Sequence, residues 1–349
     1  MTWKDHGELF VRYKRNPILT VDDWPYKVNS VFNPAAVIIN GVTLLLVRVE
    51  DHRGFSHFTV ARSKNGVEGW EIDPEPAFFP EPEIYPEEIY GVEDPRITYI
   101  DELEKWAVVY TAFSDSGPLP ALALTEDFHK FERVGPILPP DNKDAAIFPS
   151  RINGKWAMLH RPAPTIHTKK ANIWISFSTD MKAWGWHQVL IYAREGGWWD
   201  AYKIGLSPQP IRTPDGWLIM YHGVRQTTPK ISYRLGLALL DLEDPRKVLR
   251  RSEGWIFGPR ESYERSGDVN DVVFPCGWVV AGDEIRIYYG GADTSVSLAS
   301  ARIDDIMRYI RKCPEEQCPD EYCRFFEGHR GKHTYPKKSE YQTDIRTIS

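Results

Sequence analysis

Five stretches of this chain share one layout, and that recurrence limits the possible folds more than any other feature. Each has a proline near its start, an apolar run, a tight polar turn, a strongly apolar strand and one further strand. The turns include Asn40-Gly41, Asn153-Gly154, Asp215-Gly216 and Gly282-Asp283, with a polar turn near Asp101-Glu102 in the second stretch. Asn-Gly and Asp-Gly between apolar runs mark hairpins, because type I′ turns need positive φ at both central residues. Pro34, Pro95, Pro149, Pro208 and Pro275 are spaced 61, 54, 59 and 67 residues apart. The further strands are expected at His57–Ala61, Ala121–Leu124, Ile173–Phe177, Leu235–Leu240 and Val296–Ala301, three of them leading to a polar turn and then Trp70, Phe131 or Trp184. Five units of about four short strands predict an all-β, five-bladed β-propeller, within the range of ~4–8 blades that such rings adopt. A β-sandwich would have to produce five matched hairpins by coincidence.

Helical periodicity is confined to one place. Ile303, Ile306, Met307 and Ile310 form an i, i+3, i+4, i+7 stripe, which predicts a short C-terminal helix over 303–312. The expected organisation is therefore a propeller over 1–312 and a polar C-terminal tail over 313–349. That tail carries Cys313, Cys318, Cys323, His329 and His333. Their spacing departs from the usual C-x2-C zinc pattern, so free thiols are the expected state and no metal is assigned.

Composition excludes several classes of function. Among 349 residues, 43 Lys and Arg stand against 49 Asp and Glu, a net charge of −6. Nucleic-acid binding needs clustered basic charge, which such a chain lacks. No apolar run approaches the ~18 residues of a membrane span. Four cysteines do not make a disulfide framework. With a polar Met1–His6 start, the chain reads as a cytoplasmic protein. The 13 Trp, 17 Tyr and 15 Phe are unusually many; aromatic-rich loops also make self-association into a homo-oligomer compatible with the sequence.

The first strand of each propeller unit lines the central channel, so charges at its ends converge. Two chemical groups stand out there. One is acidic: Glu93, Asp94, Asp293, with Asp268 and Asp271 as further members. The other is basic: Arg151, Arg161, Lys203 and His222. Taken singly, each charge reads as half of a structural ion pair. Together they describe a pocket that holds a neutral sugar beside an anion, since guanidinium forks bind phosphate oxygens in pairs and Lys adds a point charge. Trp198-Trp199, next to Lys203, is the aromatic pair expected to line it.

The order of motifs resembles one family. Val31-Phe32-Asn33-Pro34-Ala35, Gly91-Val92-Glu93-Asp94-Pro95-Arg96, Phe148-Pro149-Ser150-Arg151, His160-Arg161-Pro162, Lys203-Ile204-Gly205, Tyr221-His222-Gly223-Val224, Val273-Phe274-Pro275-Cys276 and Tyr288-Tyr289-Gly290-Gly291-Ala292-Asp293-Thr294 resemble glycoside hydrolase family 130, over roughly residues 10–312. That family comprises β-mannoside phosphorylases and related β-mannosidases on a five-bladed propeller.

The resemblance implies an inverting reaction with one protein carboxyl, in which inorganic phosphate is the co-substrate and no cofactor is needed. Asp94 matches the family's catalytic acid, which in some members acts through a mannose hydroxyl. Arg151, Arg161, Lys203 and His222 match phosphate-holding positions; Asn33, Arg48, Arg62, Glu93 and Asp293 match sugar-contacting ones. Pro34 stands where many members have Ser, so that side-chain contact is absent. Hydrolytic members lose part of the basic set, and its presence here favours phosphorolysis. The alternatives are an inverting β-mannosidase and a sugar-binding propeller without catalysis.

Overall fold

In the computed structural model, which describes residues 7–163, 170–228 and 230–316, Asn40-Gly41 and Asn153-Gly154 have φ of 50° and 79° in each pair. These are the left-handed conformations that close two-residue hairpins. Such turns order the chain into five antiparallel sheets. Blade 1 is Ser30–Ile39, Val42–Glu50, Ser56–Ser63 and Glu71–Ile72. Blade 2 is Val92–Ile100, Lys105–Ser114, Gly117–Thr125 and Glu132–Pro136. Blade 3 is Asn142–Ile147, Trp156–Pro162, Ile173–Ser178 and Trp184–Ile191. The five-bladed propeller expected from the repeats is what forms.

Blade 4 has a divided inner edge. Lys203–Leu206 and Ile211–Thr213 both pair with Gly216–Thr227, which is followed by Lys230–Leu240 and Val248–Arg251. Pro208 and Pro210 fall in the break, where a residue without an N–H costs no ladder bond. Blade 5 runs Val273–Ala281, Glu284–Gly291 and Ser295–Arg302, and its outermost strand is Val11–Arg12 from the start of the chain. Val11 sits opposite Ser300 and Arg12 opposite Ala299, so the ring is closed by pairing its two ends.

Apolar side chains fill the spaces between adjacent sheets rather than a single centre. Phe58, Val60, Val108 and Tyr110 join blades 1 and 2; Ile173, Ile175, Ile219 and Tyr221 join blades 3 and 4. The predicted helix forms over Ile303–Lys312. Its buried Ile306, Met307 and Ile310 seal the joint between blades 4 and 5, together with Leu237, Leu239 and Ile287. The tail residues Cys318, Cys323, His329 and His333 lie outside the described residues.

One irregularity recurs on the inner strands. The ladder slips between Phe32 and Ala35, between Glu93 and Arg96, and between Lys143 and Ala146. Inside each slip one residue takes a left-handed conformation: Asn33 at φ 45°, Asp94 at 49° and Asp144 at 55°. Asn and Asp tolerate that region better than other side chains. A bulge of this kind re-aims the side chain it carries, and here it does so three times at one level of the channel. The proline register of blades 1 and 2 therefore continues in blade 3 at Asp144-Ala145, not at Phe148-Pro149, which follows the inner strand.

Candidate active site

The ends of the inner strands that carry these bulges meet at one mouth of the channel, and the site has an acidic half and a basic half. In the acidic half, Asn33 Nδ2 and Arg48 Nη1 both donate to Asp94 Oδ1, each at 2.9 Å. Arg48 also donates from Nη2 to Glu93 at 3.1 Å and from Nε to Ser56 Oγ at 2.9 Å. Asn33 is held close because Gly290 lies against it. A Cβ at residue 290 would stand 2.1 Å from Asn33 Oδ1.

Asp94 is buried, which by itself favours the neutral acid. Arg48, Lys143, Arg96 and the Asn33 hydrogen bond outweigh this and bring its pKa below the usual value. Asp293 behaves in the opposite way. Loss of water around its carboxyl, reinforced by Asp94, Glu93 and Glu50, overcomes the attraction of Arg48 and lifts it to about 7. Two carboxyls in one half of the pocket thus differ in charge near neutral pH.

The basic half is organised by Asp144. Arg161 Nε donates to Asp144 Oδ2 at 2.7 Å, Arg96 Nη2 donates to Oδ1 at 3.2 Å, and His222 Nε2 lies 3.5 Å from Oδ2. Burial alone would raise the Asp144 pKa, but these neighbours hold it far below the carboxylate range. Arg96 is 1% exposed and crosses from blade 2, with Nε on the Ser207 carbonyl at 2.6 Å and Nη2 on the Leu206 carbonyl at 3.0 Å. Close approach again depends on a glycine: a Cβ on Gly205 would meet Asp144 Oδ2 at 2.3 Å and the His222 ring at 2.6 Å.

Three cations then face this half. Lys143 and Arg161 are cross-strand partners in blade 3. Lys143 Nζ reaches Glu93 at 3.6 Å, bridging the two halves. Lys203 has its Nζ 5.4 Å from the centre of the Tyr233 ring. Burial, together with Arg161 and Lys143, lowers the Lys203 pKa. Among the described residues Lys203 forms no ion pair, although it belongs to a partly buried cluster of like charges. Such a cluster is costly unless an anion joins it.

The sequence profile of glycoside hydrolase family 130, described as beta-1,4-mannooligosaccharide phosphorylase, matches residues 10–312. The chain belongs to family 130, the β-mannoside phosphorylases. It is 35% identical to the beta-1,4-mannooligosaccharide phosphorylase of Ruminococcus albus, across 88% of this chain and 92% of that protein. It is 38% identical to a 1,2-beta-oligomannan phosphorylase of a Thermoanaerobacter strain, across 79% and 91%. The solved beta-1,2-mannobiose phosphorylase of Listeria innocua, in complex with beta-1,2-mannobiose, superposes with a TM-score of 0.78 at 32% identity, covering 86% of this chain and 99% of that one.

For this family 130 chain, the structure gathers Asp94, Asn33, Arg48, Glu93 and Asp293 at one wall, and Arg161, Lys203 and His222 at the other. It separates two residues expected to join them. Arg151 follows the inner strand of blade 3, at the opposite end of the sheet, where Nε donates to Glu102 at 2.8 Å and the guanidinium covers Trp156 at 4.4 Å. Arg62 pairs with Asp73 and sits opposite Leu44, whereas Arg48 sits opposite Phe58. Four residues of strand place Arg62 about 13 Å further along.

A third expectation changes in charge. His222 is a neutral imidazole, since burial and the cations Arg161, Arg96 and Lys203 bring it down to about 3 against the pull of Asp144. Trp199 does not line the pocket: it stacks on Tyr221 with centroids 5.5 Å apart, within the core between blades 3 and 4. Asp271 pairs with Arg265 at 3.8 Å, and Asp268 lies 3.5 Å from Asn29.

Lys143, Asp144 and Tyr233 were absent from the expected set. The available signal was Asp144-Ala145, which repeats Asn33-Pro34 and Asp94-Pro95 without the proline. Among the described residues, no group of three His, Cys, Asp and Glu side chains is placed to hold a metal.

Proposed function

We propose that this enzyme is an inverting phosphorylase that moves the terminal mannosyl residue of a β-mannoside onto inorganic phosphate. The observation that carries the reading is the cluster of Lys143, Arg161 and Lys203 around one fully engaged carboxylate, facing Asp94 across the channel mouth. An inverting hydrolase needs a second carboxylate to activate water, about 6.5–9.5 Å from the acid. Asp144 is the carboxylate on that side. Held by Arg96 and Arg161 well below its ordinary range, it is a feeble base for water. Phosphate needs no such base, because it arrives already nucleophilic.

In this mechanism a phosphate oxygen attacks the anomeric carbon from the α face, and the bond from that carbon to the acceptor oxygen breaks. Asp94 supplies the proton that the departing oxygen takes up. The products are α-mannose 1-phosphate and an acceptor shortened by one mannose. The carboxyl must be protonated first, while in the ligand-free protein Lys143 and Arg48 favour its charged form. Phosphate bound beside Lys143 offsets that positive field and raises the Asp94 pKa, so the nucleophile also prepares the acid. The relatives' names divide between β-1,4 and β-1,2 linkages, and both series are substrates to be offered.

The test is incubation with each mannobiose, with and without phosphate, followed by product identification. Phosphate-dependent formation of α-mannose 1-phosphate is expected. Asp94→Asn should lower this turnover about 10²–10⁴-fold, the usual contribution of a general acid, with mannoside binding retained. Free mannose released at an equal rate without phosphate would establish the hydrolase instead.

A further inference from the structure

Three aromatic rings form a partly exposed ledge at the mouth of blades 1 and 2. Phe55 lies in the turn before the third strand of blade 1. Tyr90 stands two residues ahead of the inner strand of blade 2, and Phe113 is near the end of the next strand. The Phe55 and Tyr90 ring centres are 5.9 Å apart, and those of Tyr90 and Phe113 are 5.8 Å apart. The backbone fixes the ledge: Tyr90 N–H donates to the Phe113 carbonyl at 2.9 Å, and Phe113 N–H donates to the Gly91 carbonyl at 3.2 Å. Phe113 is 37% exposed, and Phe55 and Tyr90 are half-buried. Three contiguous rings, fixed in place and partly open to solvent, make an apolar patch that can receive a ligand.

The ledge is joined to the acidic half of the site. Phe55 is followed by Ser56, whose Oγ receives the Arg48 Nε hydrogen bond, and Gly91 bridges to Ser56 across the blade boundary. Tyr90 is four residues from Asp94. Displacement with inversion places the entering and leaving oxygens on opposite sides of the anomeric carbon. The cations that draw phosphate belong to blades 3 and 4, so the acceptor departs over blades 1 and 2, toward these rings.

We propose that Phe55, Tyr90 and Phe113 receive the sugar rings beyond the first acceptor unit, making the enzyme selective for manno-oligosaccharides over the disaccharide. The inference rests on the phosphorolytic reading above, which sets the direction in which the acceptor leaves. Pyranose rings present C–H faces that pack against the negative faces of aromatic rings. Asp115 accepts the Tyr90 hydroxyl hydrogen bond at 2.5 Å and steadies the central ring.

The test compares kcat/KM for mannotetraose and mannobiose at saturating phosphate, in wild type and in Tyr90→Ala and Phe113→Ala. Wild type is expected to favour the tetrasaccharide, and each variant to lower the tetraose-to-biose ratio five- to twentyfold. Tyr90→Phe, which keeps the ring and loses only the Asp115 hydrogen bond, is expected to keep the ratio within twofold. A wild-type ratio near one, or a ratio untouched by both alanine variants, would overturn the proposal. The same comparison, read as Kd by calorimetry in the Asp94→Asn background, needs no turnover. Absence of phosphorolysis would then count against the preceding reading, while the binding ratio alone decides the ledge.

Discussion

Arg96 links Asp94 to Asp144: Nη1 donates to the Asp94 main-chain oxygen at 3.0 Å, while Nη2 donates to the Asp144 carboxylate at 3.2 Å. Both aspartates occupy the same left-handed bulge on neighbouring blades. One guanidinium therefore fixes the backbone that carries the candidate acid and the carboxylate that organises the cations. The separation between the two halves of the pocket is set by a buried side chain rather than by loops.

Asp144→Asn should be costly to the fold. It leaves Arg96 and Arg161, both buried, facing a neutral amide. Removing one partner of a buried charge network typically costs about 3–5 kcal/mol. Chemical denaturation should show a midpoint lowered accordingly. An unchanged midpoint would mean that the Asp144 charge contributes nothing to holding the two guanidinium groups.

Lys203 and Arg151 should separate cleanly in kinetics. Lys203→Ala is expected to raise KM for phosphate about ten- to hundredfold, matching a charge-assisted bond of ~1.5–3 kcal/mol, with KM for the mannoside little altered. Arg151→Ala, which breaks an exposed pair with Glu102 and uncovers Trp156 away from the pocket, should stay within twofold on every kinetic parameter. A large phosphate effect from Arg151 would contradict the position given to it here.

Asp293 should make stability fall with rising pH. Its carboxyl ionises near 3.8 when unfolded and at about 7 when folded. Between those values only the unfolded chain releases the proton, so the folded state loses stability as pH climbs from ~4 to ~7 and does not regain it above. Asp293→Asn has no proton to release. Its Tm advantage over wild type should be near zero at pH 4 and largest at pH 8, measured without phosphate. A difference that is flat with pH would show that the carboxyl is not raised.

Much of this architecture was readable from local chemistry. The Asn-Gly turns, the third strand of each blade and the stripe over 303–312 state their structure within a few residues, because turn geometry and apolar periodicity are short-range signals. The site was less legible where its logic is long-range. Asp144 lacks the proline that marks Asn33 and Asp94, and the nearby Phe148-Pro149 imitates Phe274-Pro275, so the blade 3 register drifted and carried Arg151 in with it. Lys143 sits in a polar stretch, Asp141-Asn142-Lys143-Asp144, that reads as a loop. The neutrality of His222 follows first from burial in the assembled ring and then from cations on blades 2, 3 and 4, none of which is near it in sequence. Arg62 was drawn by likeness to other family members, and only strand register shows it to be on the wrong part of its blade.

The pairing of Val11–Arg12 with Ser295–Arg302 has a consequence for how the molecule is made. Val11–Arg12 precedes the other propeller strands in the chain and must wait, unpartnered, until the final sheet has been synthesised. Until the two meet, the outer strand of that sheet offers a raw hydrogen-bonding border to any passing chain. Such far-separated contacts form slowly. Trimming the leading dozen residues should accordingly harm yield and solubility well before it disturbs a single atom of the catalytic mouth.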